Sequence, residues 1–428
     1  MPAPEPKRIL LVSNVPPWPV VRNGGGQRTA IVWRALERLG YEVDLDIALP
    51  PGVEMPTDVA ASMRLQQLPM PPITPTGTLT KLPGKLGRFF HSQESVRIRF
   101  RDRYRQLRQP ALEFARYDAI VCRYLSAALV AGLDRIVDVP VYVDLDDVDW
   151  LTLRAKFAEN PWPGFSGRRG MKRVMGDLEA RCREVLPRFA GGFVACEEDL
   201  AEVKRFGLNA AVLPNIPVDT DALSAGELRL PTPLLAPATG KRVLFLGDLR
   251  HGPNTDGLTS FIVRGWPFVR ECDSSATLDI VGRGLDEVPA EKLSIWKRSA
   301  GVNLVGFAED LRQTYAEAAL TIAPSWWGGG TKIKVVESAA MGRVCVVTDQ
   351  SARGYSSLLS GDDAPLVFSD SAESMGRNVA RLLEDPAELA ARSAAGPTRV
   401  AEAFGPQRVV EIIGKALAGR DGLSLADS

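Results

Sequence analysis

The sequence predicts an α/β protein built from two doubly wound domains. Short apolar runs alternate with longer amphipathic segments, a rhythm that is typical of parallel sheets covered by helices on both faces. The rhythm starts a second time after a loose, proline-rich stretch. We therefore expect an N-terminal domain at residues 1–230, a linker at 231–240, a C-terminal domain at 241–402 and a closing helix within 403–428 that packs back toward the first domain.

The composition narrows the class of protein. The 428 residues carry 52 Lys and Arg against 52 Asp and Glu, so the net charge does not favour nucleic acid as a partner. No apolar stretch reaches the roughly 18 residues of a membrane span, and no signal-peptide pattern precedes the first strand. Five scattered cysteines and two distant histidines indicate buried thiols rather than a zinc site. We expect a cytoplasmic protein.

The first domain opens with a strand, a glycine-rich loop and a helix. The strands are expected at residues 8–13 and 41–48, with the helix at 27–39 between them. Ligands of doubly wound domains meet the strand ends, so Gly25, Gly26 and Arg28 are candidates for contact with a phosphate or a sugar. The alternative is a flexible surface loop, and the GxGxxG spacing of a dinucleotide site is absent.

A basic segment follows at residues 81–108, from Lys81 to Arg108. It holds nine Lys and Arg residues against Glu94 and Asp102, with four aromatic residues interleaved. One interpretation is peripheral contact with anionic lipid headgroups. The other is a solvated helix that packs its aromatic residues inward.

Four carboxylates lie at the end of a strand expected at residues 139–145. They belong to Asp144, Asp146, Asp147 and Asp149. Three interpretations fit them: a DxD metal site for a nucleotide diphosphate, a site for a sugar hydroxyl or a catalytic base, and acids that cap the next helix. Another strand is expected at 117–123, a helix at 173–188 and a strand at 191–196.

The second domain repeats the alternation of strands and helices. Its strands are expected at residues 242–246, 276–281, 302–305, 320–323 and 344–347. Polar or glycine-containing loops follow most of these strands, which predicts a ligand site at their ends. A helix at residues 406–417 closes the chain.

The stretch at residues 326–348 organises the second domain. Three consecutive glycines lead into a helix that carries Lys332, Lys334 and Glu337 near its start. Glycines allow close backbone approach, and a helix N-terminus beside two lysines attracts an anion such as a diphosphate. Lys334 and Glu337 are three residues apart and share one helical face. The alternative is a glycine-rich turn before a solvated, charged helix.

Taken together, the segments of the second domain match a known family. They read FLGDLRHGPNTDGL, DIVGRG, VNLVGFAEDLRQTYAEAALTIAP, GGGTKIKVVESAAMGRVCVVTD and SARG, in this order within residues 245–359. The ordered set resembles the retaining, nucleotide-sugar-dependent glycosyltransferases of family GT4. Their GT-B fold consists of two Rossmann-like domains that face each other across a cleft. The first domain is similar, less specifically, to the branch that builds bacterial envelope or exported polysaccharides.

The resemblance implies a donor site in the second domain. Glu337 falls where the family's ribose-binding glutamate ends its EX7E motif, whereas Gly329 stands at the position of the first glutamate. Phe307 and Gly306 correspond to the place where the family holds the nucleobase. An aromatic side chain there stacks on the base or belongs to the core.

Other residues of the second domain are implied in binding the diphosphate. The positions of a basic pair found in many members hold Asp248 and Asn254, so other cations must neutralise the diphosphate. The remaining expected donor contacts are Arg250, Asn254, Gly282, Arg283, Gly330, Thr331, Lys332, Ile333 and Lys334.

The implied reaction is glycosyl transfer with retention at the anomeric carbon, without a required metal or cofactor. The donor would be a UDP- or GDP-sugar, and the acceptor a glycan or a lipid-linked intermediate. Lys332 and Lys334 would stabilise the leaving diphosphate, while Asp144, Asp146 or Asp149 would orient the acceptor hydroxyl. Three alternatives are a metal-dependent GT-A enzyme, a nucleotide-sugar epimerase and a non-catalytic binding subunit.

Overall fold

The computed structural model of the chain describes residues 7–18, 24–47, 114–136, 138–159, 164–234 and 240–419. Contacts divide the chain into two compact units, one of residues 1–213 with 409–428 and one of residues 214–408. Residues 214–230, which the sequence pattern places in the first domain, therefore group with the second unit. The basic segment at 81–108 lies outside the described residues.

The first unit contains a six-stranded parallel sheet. Its strands are β1 (Arg8–Ser13), β2 (Glu42–Ile47), β3 (Ala119–Arg123), β4 (Val141–Asp144), β5 (Gly191–Val194) and β6 (Ala210–Val212). They lie in the order β2-β1-β3-β4-β5-β6, and each neighbouring pair is parallel. Because the direction of the chain across the sheet reverses between β1 and β3, the loops that follow these strands diverge at the carboxyl edge.

Helices cover this sheet. They are α1 (Gly24–Arg38), α2 (Leu125–Val130), α3 (Asp149–Glu159), α4 (Gly164–Val185) and α5 (Glu197–Arg205). The expected start of the first helix at residue 27 is wrong, since α1 begins at Gly24 and its first turn contains the three glycines. The predicted glycine loop is therefore part of a helix.

The second unit contains another six-stranded parallel sheet. Its strands are β7 (Arg242–Leu246), β8 (Thr277–Val281), β9 (Val302–Gly306), β10 (Leu320–Ala323), β11 (Cys345–Val347) and β12 (Leu366–Phe368). They lie in the order β12-β11-β10-β7-β8-β9, which is the strand order of Rossmann domains. The switch point lies between β7 and β10, which pair in parallel.

Nine helices of the described chain belong to this unit. They are α6 (Thr220–Ser224), α7 (Gly252–Arg264), α8 (Trp266–Cys272), α9 (Ala290–Arg298), α10 (Leu311–Ala316), α11 (Ile333–Ala340), α12 (Asp349–Ala352), α13 (Ala372–Glu384) and α14 (Pro386–Phe404). The last helix, α15 (Pro406–Ala418), begins in this unit, and its residues from Val409 onward group with the first. There Gly414 faces Leu39, whose Cδ2 would lie 3.0 Å from an added Cβ.

The predicted fold class is confirmed. Both sheets are parallel and doubly wound, and β1, β7 and β10 have the expected bounds. The sequence analysis missed β12, a strand of three residues. Four cysteines are buried as expected, whereas Cys272 is exposed. None of the described helices combines the length and the apolar character needed to cross a membrane.

Candidate functional site

The second sheet forms a candidate site at its switch point. Residues 247–251 follow β7 and residues 324–332 follow β10, and α7 and α11 begin directly after these loops. The two loops turn toward opposite faces of the sheet, which leaves a crevice at the strand ends. Several of the residues expected in the donor site lie on these two loops and the first turns of the two helices.

Lys334, in the first turn of α11, is at the centre of this region. Its ammonium donates to Asn254 Oδ1 at 2.9 Å and lies 4.5 Å from the centre of the Phe245 ring. Among the described residues no carboxylate pairs with it, and burial, with a smaller effect of Lys332, lowers the pKa of Lys334 from 10.5 to about 7. A half-buried ammonium group without a counter-charge would gain from a bound anion, so Lys334 is a candidate contact for an anionic ligand.

The glycine-rich loop holds Lys332 in place. The Lys332 ammonium donates to the carbonyl oxygens of Gly329 and Gly330 at 2.5 and 3.4 Å. Gly328 and Gly330 have φ angles of +120° and +62°, which other residues rarely adopt, so the loop requires glycine at both positions. The loop thereby places a second ammonium group directly before α11.

Two helix N-termini point into the same region. The N-cap residues of α7 and α11 are His251 and Lys332; neither side chain makes a capping hydrogen bond, and neither first turn holds an acidic residue. By contrast, Asp310, Ser371 and Asp385 cap α10, α13 and α14. Because α7 and α11 begin without an acceptor of this kind, their N–H groups and positive dipole ends can serve an anionic ligand.

Glu337 lies one turn further along α11 and is held by a tyrosine. The hydroxyl of Tyr315, on α10, donates to Glu337 Oε2 at 2.9 Å. Burial raises the pKa of Glu337, and the hydrogen bond from Tyr315 partly opposes this rise. The carboxylate is half-buried, so it has one oxygen bound to the protein and can accept from a ligand with the other.

Arg250 does not join the two lysines. Its guanidinium pairs with Asp248, through Nε to Oδ1 at 2.9 Å and Nη2 to Oδ2 at 2.5 Å. The pair is half exposed, and Arg250 Nε also lies 4.0 Å from Glu287 Oε1. An anion would have to compete with Asp248 for this cation.

Gly282 has a packing role in addition to any contact with a ligand. A Cβ on Gly282 would lie 1.7 Å from the carbonyl oxygen of Gly247, so only glycine fits where the ends of β7 and β8 meet. The N–H of Gly282 donates to the carbonyl oxygen of Gly306 at 2.8 Å, which ties the end of β8 to that of β9.

Phe307 lies on the surface directly after β9, beside Arg283. Its ring is 56% exposed, which rules out the core interpretation. The guanidinium carbon of Arg283 lies 4.9 Å from the centre of the ring. An exposed aromatic ring with an arginine on it offers a flat surface on which a base can stack.

Thr331 and Ile333 flank Lys332. Thr331 Oγ1 accepts a hydrogen bond of 2.9 Å from Asn215 Nδ2, and the hydroxyl of Tyr355 donates to the carbonyl oxygen of Asn215 at 3.3 Å. Ile333 is the first residue of α11 and is half-buried. The start of α11 is thus anchored from the segment that opens the second unit.

The carboxyl edge of the first sheet carries a different arrangement, a buried ion-pair cluster. Asp144, at the end of β4, accepts from Arg28 Nε and Nη2 at 2.9 and 2.8 Å and from Arg123 Nη1 at 2.7 Å. Burial alone would raise the pKa of Asp144, but the guanidinium groups of Arg28 and Arg123 outweigh it and lower the pKa to about 2. Asp144 is an ion whose two oxygens are both occupied.

Asp146 and Tyr124 complete this cluster, called here the first-sheet cluster. Arg123 Nη2 donates to Asp146 Oδ2 at 3.2 Å and to the carbonyl oxygen of Gly25 at 3.0 Å, and the hydroxyl of Tyr124 donates to Asp146 Oδ2 at 3.2 Å. Tyr124 and Asp146 have φ angles of +72° and +54°, the only positive values outside glycine among the described residues. Such strain persists only where surrounding contacts fix the backbone.

The first-sheet cluster changes the interpretation of the predicted residues in this unit. The carbonyl of Gly25 is used by Arg123, and Gly26 is buried within α1. Of the four carboxylates, Asp144 and Asp146 are buried in ion pairs, whereas Asp147 and Asp149 are exposed at the start of α3. The third interpretation, acids at the start of the next helix, therefore fits only the second pair. In the described part of the chain, no three His, Cys, Asp or Glu side chains are grouped as metal ligands.

Sequence reasoning did not single out three residues that the structure brings into these regions. Arg123 ends β3, Tyr315 lies in α10, and His251 stands in the loop after β7. Two of the family-like segments contain His251 and Tyr315, but no role was expected for either residue. Burial, followed by the charges of Lys332 and Lys334, lowers the pKa of His251, which places this imidazole near both lysines. Its isolation from other ligand-type residues in the sequence hid this.

Comparison with known proteins gives a family match for one segment of the chain and solved structures of the same fold. Residues 240–385 match the family model described as glycosyl transferases group 1. No curated protein is similar enough in sequence to count as a match. A GT-A arrangement, the metal-dependent alternative, is wrong, because the two parallel six-stranded sheets match GT-B structures.

Three solved structures have this fold over nearly the whole chain. Sucrose-phosphate synthase from Thermosynechococcus elongatus is 16% identical with a TM-score of 0.63, and the alignment covers 98% of this chain and 100% of that one. HepE from Anabaena, in complex with UDP and glucose, is 13% identical with a TM-score of 0.61, over 96% and 100%. A glycosyltransferase from Rickettsia africae is 11% identical with a TM-score of 0.60, over 98% and 100%. The chain thus has the GT-B fold, and its residues 240–385 are similar to the glycosyl transferases group 1 domain.

Proposed function

We propose that this protein is a glycosyltransferase that moves a sugar from a nucleoside diphosphate sugar to a hydroxyl group of an acceptor. The observation that carries the proposal is the position of Lys334, a half-buried cation with no carboxylate partner among the described residues, where α7 and α11 begin. A diphosphate would supply the missing negative charge and accept from the helix N-termini. The group 1 domain and the GT-B fold support the same activity.

The proposed reaction breaks the bond between the anomeric carbon and the diphosphate oxygen. Negative charge grows on the diphosphate as the sugar becomes oxocarbenium-like, and Lys334, Lys332 and the N-terminus of α11 attract that charge most strongly when it is fully developed. The acceptor oxygen bonds to the anomeric carbon, and its proton passes to the leaving phosphate oxygen. We propose that the configuration is retained and that no metal is required.

We propose separate contacts for the ribose and the base of the nucleoside. Glu337 accepts the ribose hydroxyls through its free oxygen, and Phe307 with Arg283 stacks on the base. Gly329 offers no carboxylate to the donor sugar, so the backbone of residues 329–331 and the start of α11 at Ile333 take that place. Arg250 contributes when the diphosphate displaces it from Asp248.

The first unit is proposed to bind the acceptor, a glycan or a lipid-linked intermediate. Asp144 and Asp146 act there as positioning residues, because their oxygens already accept from Arg28 and Arg123. They fix the start of α1, with Gly25 and Gly26, at the carboxyl edge of the first sheet. We place the protein in the cytoplasm, with residues 81–108 as a candidate contact with the membrane surface.

The test is a transfer assay with UDP-, GDP- and ADP-sugars in excess EDTA. We expect activity with one UDP- or GDP-sugar and, by NMR of the product, the same anomeric configuration as in the donor. UDP-glucose is the first donor to try, since UDP and glucose are bound in the HepE structure. Activity that disappears in EDTA, or an inverted product, would overturn metal independence or retention.

One observation favours a second candidate, a non-catalytic subunit that binds a nucleotide sugar. Gly329 stands where the family has a carboxylate for the donor sugar, and its carbonyl is occupied by Lys332. Donor binding without turnover over a broad acceptor panel would support this candidate. Conversion of the donor without an acceptor would instead indicate an epimerase.

A further inference from the structure

We infer that Tyr315 is a positioning residue for nucleotide recognition, whose hydroxyl holds the carboxylate of Glu337 in the orientation that accepts ribose hydroxyls. The inference rests on the proposed function and adds to it a residue on another element, α10, that does not itself contact the nucleotide. Three observations carry it: how Tyr315 is packed, how its backbone is fixed, and which charges face Glu337.

The ring of Tyr315 is packed on all sides. It is 1% exposed and belongs to a compact apolar cluster with Leu244, Val281, Ala318 and Met341. A phenol fixed in this way has little freedom to turn its hydroxyl elsewhere. The 2.9 Å hydrogen bond to Glu337 is therefore built into the core of the second unit.

The backbone of Tyr315 is fixed by a buried arginine. Arg343 is 1% exposed, and its Nε donates to the carbonyl oxygen of Tyr315 at 2.9 Å. Its Nη2 donates to the carbonyl oxygen of Ala316 at 3.4 Å, also at the end of α10. A cation at a helix C-terminus stabilises that end of the helix, so the position of Tyr315 depends on both its ring and its main chain.

No cation of the described chain pairs with Glu337, which makes the tyrosine hydroxyl decisive. Lys334, on the same helical face, donates to Asn254 instead. Burial raises the pKa of Glu337, and the bond from Tyr315 is the contact that lowers it. The buried thiol of Cys345 on β11 interacts electrostatically with Tyr315 and Lys334, and the guanidinium of Arg343 lies against the main chain of Tyr315.

This arrangement leaves one oxygen of Glu337 for a ligand in a fixed direction. A carboxylate that turned freely would lose rotational freedom on binding a ribose, whereas a held carboxylate has lost it already. A hydrogen bond to a charged group is among the stronger ones in proteins, but only part of its contribution concerns the orientation. We therefore expect the loss of the hydroxyl to weaken ribose binding by about tenfold.

The first measurement is the affinity for UDP by calorimetry, with GDP as the second probe. Tyr315→Phe removes one oxygen and keeps the ring, so the unit should fold. The matched control is Tyr117→Phe in the first unit, where a buried tyrosine hydroxyl likewise donates to a carboxylate, Asp44, at 2.8 Å. We expect about tenfold weaker nucleotide binding for Tyr315→Phe and less than a twofold change for Tyr117→Phe.

The second probe is 2′,3′-dideoxyuridine 5′-diphosphate, or its guanosine counterpart, which lacks the ribose hydroxyls. Tyr315→Phe should bind it as the wild type does, within about twofold, because Glu337 then has nothing to accept from. The same loss with both nucleotides would show that Tyr315 acts through general stability, and would overturn the inference.

The third measurement is the pH dependence of the affinity. Ribose binding needs the carboxylate form, so affinity falls as the pH drops through the pKa of Glu337. Without the tyrosine hydroxyl this pKa rises further, and the fall should begin at a higher pH in Tyr315→Phe. Glu337→Gln removes the group that titrates, and in this background Tyr315→Phe should no longer move the profile.

The outcomes separate the inference from the proposed function. If the wild type binds none of the nucleotides, the proposed function fails and the inference fails with it. If the wild type binds a nucleotide but Tyr315→Phe leaves both its affinity and its pH profile unchanged, only the inference fails.

Discussion

The carboxyl edges of both sheets carry arginine or lysine side chains, but the partners of these cations differ between the two edges. In the first-sheet cluster, the guanidinium groups of Arg28 and Arg123 both face carboxylates. At the second edge, Lys334 faces an amide oxygen and an aromatic ring. Two parallel, doubly wound sheets that differ in strand order thus carry a closed electrostatic network in one unit and a charge without a carboxylate partner in the other.

This difference teaches which charges are structural and which are available to a ligand. A buried pair satisfies its own charges and has no need of a third partner, whereas an unpaired cation gains from any anion that binds. The pKa values show the contrast, since that of Asp144 is lowered to about 2 by its partners and that of Lys334 to about 7 by burial. Substitutions should therefore affect stability at one edge and activity at the other.

The largest expected effect on stability is at the carboxyl edge of the first sheet. Asp144→Ala leaves two buried guanidinium groups without their shared carboxylate, and we expect a loss of about 3–5 kcal/mol in the free energy of unfolding. Chemical denaturation measures it. The control is Glu184→Gln, which breaks exposed pairs with Arg181 and Arg188 and should cost at most about 1 kcal/mol. Equal losses in both variants would contradict the distinction between the two edges.

The next largest expected effect is a loss of activity on substitution of Lys334 at the carboxyl edge of the second sheet. Lys334→Met removes the charge and keeps the length of the chain, so we expect turnover on the nucleotide sugar to fall about 10²–10³-fold. The free energy of unfolding should stay the same or rise, because a half-buried charge without a carboxylate partner is removed. A variant that unfolds readily, or that keeps its turnover, would mean that the charge of Lys334 is structural.

The pH dependence of stability should also differ between the carboxyl edges of the two sheets. Asp144 has a lowered pKa in the folded state, so its contribution is present above 3.8 and is lost as the pH falls toward about 2. Lys334 also has a lowered pKa, and between about 7 and 10.5 the unfolded chain binds a proton that the folded chain does not. Stability should therefore rise with pH in that window.

Thermal unfolding across pH tests both windows. Asp144→Asn should flatten the acid part of the profile alone, and Lys334→Met the alkaline part alone. If Lys334→Met leaves the rise between pH 7 and 10.5 in place, the lowered pKa of Lys334 is wrong.

The smallest expected effect concerns the exposed ring beside Arg283. Phe307→Ala should weaken nucleotide binding by about tenfold, since stacking of a base on an aromatic ring contributes about 1–3 kcal/mol. Stability should hardly change, because the ring is already on the surface. The matched comparison is Phe368→Ala, another exposed phenylalanine of the same unit, which should leave nucleotide affinity unchanged.

The candidate site was partly predictable from sequence. Gly328, Gly330 and Lys332 directly precede α11 in the chain, and the helix period places Lys334 and Glu337 on one face of its start. The partners of these residues were not predictable in the same way. Asn254 and Tyr315 reach Lys334 and Glu337 from 80 and 22 residues away, through the folding of the sheet.

By itself, the sequence determined the two doubly wound domains, the alternation of strands and helices, and the glycine-rich start of α11. These follow from local periodicity and from glycine's backbone freedom, which act over a few residues. Only the tertiary structure decided which charged side chains pair with an opposite charge and which do not. The sequence leaves Asp144 open as a metal ligand, as a carboxylate for a sugar hydroxyl or a catalytic base, or as a capping acid. In the structure, Arg28 and Arg123, 116 and 21 residues away, occupy both of its oxygens. Charge compensation depends on distances of a few ångströms between parts of the chain that the fold alone brings together.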